Sequence, residues 1–458
     1  MITKKAVNPK KFEVPGTSAG MQAGQFLFLG GQTPTDLETA AVVTGLKDLP
    51  ESARRQLTVG MLLVDVPDER ILSQAWRILN NVKDILAQQG LTLDAIVHQC
   101  FYLQDMRDAP ALEHVVLAFM PDERPSTTII GATSEGVNRK IAVQADFVVL
   151  ADKNMKRTNV SLPDLDFLTA PFPLATRAGQ YLFTSPLPGV NPETRRLVSS
   201  VSELTKEEQE ILEPPYSARA ESLVGQHIMQ FRHIRRILES EGSSLSSQLR
   251  QNGWLRIPLR EFGPVSRARK RMFSGANTGP FTSLTISGTR TEDAAFEYSA
   301  IALIPPKSAE QHRREVVTLP HGIASYYIGA VRSGPYIITA GEVPVDTSVP
   351  GAIGGFADLN DEGRYLGFGR LHEDKPILAK AWFVYQRLKS CLEQYGGSMD
   401  HVISQRVFLA QPADYPALER VATLFYGAQL PPTTLVPILD TSPYPEAGLE
   451  IEVIGLAK

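Results

Sequence analysis

From Ile71 onward apolar residues return every third or fourth position, at Ile71, Ala75, Ile78, Leu79, Val82, Ile85 and Leu86, until Gly90 closes the run. That spacing puts one apolar stripe along a helix with a glycine stop. Ahead of it, Phe26, Leu27, Phe28 and Leu29 form a short apolar run bounded by glycines, which predicts a buried strand ending in a turn. Behind it, residues 96–103 are rich in β-branched and aromatic side chains and predict another strand. Asp108 and Pro110 open a second helix whose stripe includes Leu112, Val115, Val116 and Phe119, and residues 127–130 and 141–150 supply two more strands. The order strand, strand, long helix, strand, short helix, strand, strand predicts an α/β (α+β) unit, a mixed sheet carrying both helices on one face.

The pattern is written again later in the chain. Trp76 and Trp382, Gly90 and Gly396, Asp94 and Asp400, Leu112 and Leu418, and Thr127 and Thr433 all differ by 306 positions, so the two stretches match without insertion. Half of 306 is 153, about a third of the 458 residues, which leaves room for one more copy between them. A worn middle copy fits there: Arg177 to Phe183 answers Gln22 to Phe28, Ile234 to Gly242 answers Val82 to Gly90, and Phe281 to Leu284 answers Ser126 to Ile129. Three tandem domains are expected, at 1–152, 153–310 and 311–458, with polar, proline-bearing linkers at 152–163 and 305–320.

A sheet covered by helices on one face leaves the other bare, here assigned Ile129, Val143 and Phe147, and such a face needs a partner layer. Three copies in one chain can supply it by turning their bare faces inward around a shared axis, an intrachain pseudo-trimer. Composition narrows the function. With 46 basic and 50 acidic residues the net charge is -4, too balanced to gather nucleic acid or an anionic membrane. Cys100 and Cys391 form neither a disulfide framework nor a metal pair, and His98, His227, His233 and His321 show no ligand spacing. The polar N-terminus lacks a signal core, so a cytoplasmic protein is expected. No phosphate loop, dinucleotide fingerprint or Ser-His-Asp order is visible, and no cofactor or metal is expected.

The segments Ala330–Gly334, Gly341–Asp346, the helix ending at Gly396, Val407–Leu409, Thr433–Thr434 and Leu449–Glu452 resemble successive signatures of the RidA family of enamine/imine deaminases, also called YjgF or L-PSP. The resemblance spans the chain three times, best in the third copy and worst in the second. It implies a chorismate mutase-like fold, sites at clefts between copies, and an arginine before a Ser/Thr pair that clamps a substrate carboxylate. Here that place holds Ser126, Phe281 and Pro432. It further implies a last-strand glutamate that positions water, matched by Glu297 and Glu450 with Ala142 in the first copy. A tyrosine in the opening segment is matched by Tyr327, with Thr17 and Phe172 elsewhere. Backbone N–H groups at Gly31 and Gly341, together with Thr433 and Thr434, are expected to face substrate.

Read residue by residue, Glu450 and Glu452 share one face of an alternating strand, so either they are solvated or they line a cleft. Arg406, in an otherwise apolar strand, needs a partner, either a structural ion pair or a carboxylate ligand, and is the leading substitute clamp. Arg124, Arg256 and Arg290 are alternatives by analogy, and the basic run Arg256, Arg260, Arg267, Arg269, Lys270 and Arg271 reads as a solvated surface. The expected activity is hydrolysis of a small, carboxylate-bearing enamine or imine between copies, with Glu450 orienting water and the chain acting as a monomer or a dimer of pseudo-trimers. The alternatives are a specialised, chorismatase-like enzyme, or a binding protein for a small metabolite.

Overall fold

A computed structural model of the chain describes residues 3–9, 16–59, 69–132, 138–212, 216–273, 279–308, 311–317, 328–346, 351–369, 375–441 and 444–458. Tyr327 and His321 lie outside the described residues.

Three sheets form from corresponding stretches of the three copies. In the first, strands Lys4–Val7, Gly20–Ala23, Phe26–Gln32, Val143–Leu150, Ile96–Leu103 and Ser126–Gly131 lie side by side in that order. The third repeats this with Arg314–Val317, Ala330–Ser333, Tyr336–Thr339, Leu449–Leu456, Val402–Leu409 and Thr433–Pro437. The second runs Arg157–Val160, Ala175–Ala178, Tyr181–Thr184, Phe296–Leu303, Gln248–Leu255 and Phe281–Thr285. In each, the edge strand pairs parallel with its neighbour, the register expected when a helix makes the crossover. Those crossovers are the short helices Ala109–Phe119, Gly263–Met272 and Tyr415–Tyr426.

The long helices are Glu69–Gln88, Ala218–Ser240 and Pro376–Glu393. Ser217 caps the second by accepting the Ala220 N–H, and Pro376 begins the third, where its missing N–H costs nothing. Gly90 and Gly396 end the equivalent helices at φ of +68° and +73°, a conformation costly to any residue with a Cβ. Each long helix shares a dry core with its own sheet, through residues such as Leu79 and Phe147, Ile234 and Phe296, and Leu388 and Val453.

The helix-free faces meet in a separate apolar cluster drawn from all three copies. At its centre are Phe26, Tyr181 and Tyr336, the first inward residues of equivalent strands, with ring centroids 5.3, 5.8 and 5.9 Å apart. The Tyr336 hydroxyl donates to Ala23 O at 2.8 Å, and Tyr181 donates to Ser333 O at 3.2 Å, so the two tyrosines tie the third copy to the first and the second copy to the third. Phe26→Ala is expected to cost about 3–5 kcal/mol in a urea unfolding curve, because the void would open where three rigid sheets converge.

The sequence frame placed Ile129, Val143 and Phe147 on this inner face, and the structure reverses that. All three pack under the helices, while Ile130, Val148 and Leu150 point inward. Strand Ile96–Leu103 is buried at every position, so apolarity alone does not distinguish the faces.

The copies also trade strands. Gly288–Thr289 of the second copy extends the first sheet beside Ser126–Gly131, and Asp440–Thr441 of the third extends the second beside Phe281–Thr285. The corresponding first-copy segment, 133–137, is outside the described residues.

Candidate functional site

Strand register fixes which residues are equivalent. Glu450 stands opposite Phe408, Glu297 opposite Trp254 and Gln144 opposite Tyr102, each at the same distance from the bulge that the three sheets share. The first-copy counterpart of the two glutamates is therefore Gln144 and not Ala142, which lies before the strand begins. The edge strands correct a second assignment. Gln405 pairs with Thr433 and Gln251 with Phe281, so the position before the Ser/Thr pair is Ser126, Pro280 and Pro432. None of these side chains can clamp a carboxylate.

Each of these last-strand residues can be traced to its surroundings. Gln144 donates from Nε2 to the carbonyl of Leu435 in the third copy's edge strand. Glu450 is held in the equivalent way by the backbone N–H of Ser283, in the second copy's edge strand. Glu297 instead accepts the N–H of Thr291 at 2.8 Å, within its own copy.

Glu450 is 2 % exposed. Burial, then the nearby Glu452 and Glu342 carboxylates, push its pKa well above the ordinary range, against the opposing pull of the Ser283 N–H. Its Oε2 has no hydrogen-bond partner among the described residues. The buried hydroxyls of Ser283 and Thr285, on the facing edge strand, likewise have none. Gly341 makes room for the carboxyl, since a Cβ there would stand 1.9 Å from Oε1. Gly341 is thus brought to Glu450 by packing. Its neighbour Glu342 is fully buried and paired to Arg387 at 2.7 Å.

Gly31, Thr433 and Thr434 meet at a different seam, between the first and third copies. There the Gly31 N–H donates to Thr434 Oγ1 at 2.9 Å, and Thr433 lines the adjoining cleft. The candidate residues therefore fall on two seams.

Glu452, two residues from Glu450 on the same face, lies in the opposite electrostatic setting. It accepts from Arg250 at 3.2 Å, Arg406 at 3.1 Å, Asn252 at 3.1 Å and Thr282 at 2.6 Å. Burial raises its pKa, but the two guanidinium groups and these donors outweigh that and hold it below the ordinary carboxylate range. Arg406 completes the cluster with two bonds to Asp146, at 3.0 and 2.6 Å. A small cavity of about 40 Å³ at this cluster is lined by Asp146, Arg250, Asn252, Arg406 and Glu452. Arg406 is thus an interior ion-pair residue, and the expectation of a substitute clamp gives way to the structural alternative.

The other arginines are also engaged. Arg124 donates to the carbonyls of Pro171, Met120 and Pro121, Arg290 pairs with Glu113 at 2.7 Å, and Arg256 reaches Asp293 at 3.4 Å. Within the basic run, Arg269 departs from the solvated reading. It is 1 % exposed, with its guanidinium 3.7 Å from the Phe281 ring centroid and a bond to Gln251. Burial pushes the Cys100 thiol up to about 12 and His98 down to about 3, which makes both neutral packing residues beside the cluster.

The three α+β units carry Gln144, Glu297 and Glu450 at one register position of their last strands, and in the first and third units that residue reaches a neighbouring unit's edge strand. A family model described as Endoribonuclease L-PSP matches residues 60–147 and 318–457, the first and third copies, and leaves the middle one unmatched. A RutC family protein of Pyrococcus horikoshii is 26% identical over 113 residues, 25% of this chain and 71% of the relative. Another, of Pyrococcus abyssi, is 25% identical over 130 residues, 28% of this chain and 80% of the relative. The crystal structure of RidA from the Antarctic bacterium Psychrobacter sp. PAMC 21119 is 18% identical, covering 32% of this chain and 98% of that one at a TM-score of 0.25. The chain belongs to the RidA (YjgF/L-PSP) family, with RidA-like units in tandem. No helix among the described residues is long and apolar enough to cross a membrane.

Proposed function

We propose that the seam between the second and third copies is a hydrolytic site for small imines or enamines, with Glu450 as its proton-transfer group. The observation that carries this reading is a buried carboxyl of raised pKa with one oxygen unpartnered, held by the Ser283 N–H of an edge strand whose Ser283 and Thr285 hydroxyls are likewise unpartnered among the described residues. A carboxyl whose pKa is raised holds its proton to higher pH and can donate it to an imine nitrogen. The resulting carboxylate takes a proton from the water that adds to the C=N carbon, and the carbinolamine collapses to a carbonyl compound and an amine. Atoms and protons balance without any further reactant.

Because Arg406 and Arg250 are occupied by Glu452 and Asp146, the reading does not require a carboxylate on the substrate. Glu297 is the weaker candidate for the same role, since it is already bonded within its own loop. On this reading one chain supplies all three neighbours and works as a monomeric pseudo-trimer.

The test is ammonia or amine release from a panel of imines generated in situ from amino acids and from simple amines. Glu450→Gln should lower kcat/KM by about 10²–10⁴-fold, the usual worth of general acid–base catalysis, with an unchanged circular dichroism spectrum. Full activity in that variant removes Glu450 from the mechanism.

A further inference from the structure

Each copy ties its long helix to the same turn. Asn81 Nδ2 donates to Thr35 O at 2.8 Å, His233 Nε2 to Val190 O at 2.8 Å, and Arg387 Nη1 to Val345 O at 3.4 Å. Asn81 and Arg387 lie 306 positions apart, and His233 precedes Ile234 as they precede Val82 and Leu388. In every copy the accepting carbonyl lies three residues beyond a residue that pairs with the last strand, Gln32 with Ala145, Leu187 with Tyr298 and Glu342 with Ile451. Those last-strand partners directly follow Gln144, Glu297 and Glu450. Two of the three copies hold the turn with Asn81 or a buried His233 that burial keeps neutral, so holding it requires no charge.

The third copy nevertheless charges it. Arg387 Nε donates to Glu342 Oε2 at 2.7 Å, with the Glu342 side chain fully buried and that of Arg387 only 14% exposed. An interior ion pair is a weak source of stability, because desolvation takes back much of what the attraction gives. Its location supplies another use. Gly341 and Glu342 are consecutive, so alternation sends Glu342 to the helix and turns Gly341 toward the Glu450 carboxyl, which a Cβ there would approach to 1.9 Å. Two backbone hydrogen bonds between Glu342 and Ile451, at 2.9 and 3.0 Å, fix this turn to the strand one residue from Glu450. The second copy has Pro186 and Leu187 in place of Gly341 and Glu342, and there Glu297 is bonded within its own loop.

We propose that Glu342 and Arg387 are positioning residues for Glu450: as an ion pair they hold the Gly341 backbone against its carboxyl and keep a negative charge fixed nearby. The inference rests on the reading of Glu450 as the proton-transfer group. Among the described residues, the charges that raise the pKa of Glu450 are Glu452 on its own strand and Glu342 at this turn. The adjoining strand Val402–Leu409 brings Arg406, which is paired to Glu452 and Asp146. The second copy's edge strand Phe281–Thr285 brings no ionisable side chain, and Asp440 pairs beyond it, opposite Thr285. Removing the Glu342 charge therefore lowers the pH at which Glu450 gives up its proton.

Glu342→Gln combined with Arg387→Asn gives the third copy the neutral residues that the first carries as Gln32 and Asn81. Infrared difference spectra, each protein against its own Glu450→Gln counterpart, follow the protonated Glu450 carboxyl as pH rises. Its midpoint should fall by about one pH unit or more in the double variant, and the high-pH limb of kcat for imine hydrolysis should move with it. If the double variant does not fold, Glu342→Gln alone makes the same comparison, since it keeps the backbone bridge to Ile451 and the Arg387 bond to Val345 O. A lowered midpoint in a chain that hydrolyses no imine would uphold the positioning role and overturn the hydrolytic reading. An unmoved midpoint overturns the inference, and where hydrolysis still depends on Glu450 the hydrolytic reading survives it.

Discussion

Asp146→Ala is expected to destabilise the chain by about 3–5 kcal/mol, the usual consequence of leaving a buried charge without its counter-ion. Arg406 would lose two of its charged hydrogen bonds, those at 3.0 and 2.6 Å, and would have to share Glu452 with Arg250. These groups sit where the three copies meet, with side chains of Asp146 and Arg406 only 8% and 14% exposed, so water cannot readily replace the carboxylate. A urea unfolding curve measures the loss. The double variant Asp146→Leu with Arg406→Met should recover most of it, since removing both charges also removes their desolvation penalty. A loss below about 1 kcal/mol in the single variant would mean that Arg406 is hydrated, and the interior ion-pair assignment would fail.

The cluster also shows what separates this chain from a ring of identical subunits. The paired positions are Arg406 and Glu452 in the third copy, Cys100 and Asp146 in the first, and Asn252 and Ser299 in the second. Only the three different copies together complete the network. Asp146 answers Arg406 across one seam, while Asn252 and Arg250 answer Glu452 across another. A seam formed by two third copies would oppose none of these charges in the same way. The polar interior thus favours one arrangement of copies over the others, the use for which buried ion pairs are best suited.

The fold was readable from the sequence because a 306-residue offset and helix periodicity are long-range, redundant signals. Side-chain facing was not. Ile129, Val143 and Phe147 were placed on the wrong side because both faces of these sheets are dry, and a pattern that is apolar throughout has no phase. Gln144 could have been found by arithmetic alone, since 450 less 306 is 144, and it was missed because a glutamate was sought where an amide had replaced it. Arg406 was seen as a charge in need of a partner. Its partner Asp146 lies 260 residues away in another copy, a pairing that local spacing does not reveal.

Glu450→Gln, expected to lose turnover, should at the same time make the protein more stable, by an amount that grows with pH. The folded pKa of Glu450 lies well above its unfolded value of about 4.3, so between the two the folded state holds a proton that the unfolded state has released. Stability then falls as pH rises, by up to about 1.4 kcal/mol per unit, until the folded pKa is reached. Glutamine has no proton to lose and escapes this cost. Variant and parent should therefore coincide near about pH 4 and diverge through neutral pH. Glu452 supplies the control, on the same strand and the same face. Its folded pKa is depressed, so its contribution is present above about pH 4.3 and is lost as pH falls through the folded value. Glu452→Gln should accordingly be destabilised at neutral pH and approach the parent in acid. Urea unfolding from about pH 4 to about pH 8 separates the two residues by the sign of the slope. Parallel slopes would show that Glu450 is ionised in the folded protein, and the proton it is proposed to donate would not be there. A gain in stability from the substitution that abolishes turnover is what a site held at a cost for its chemistry produces.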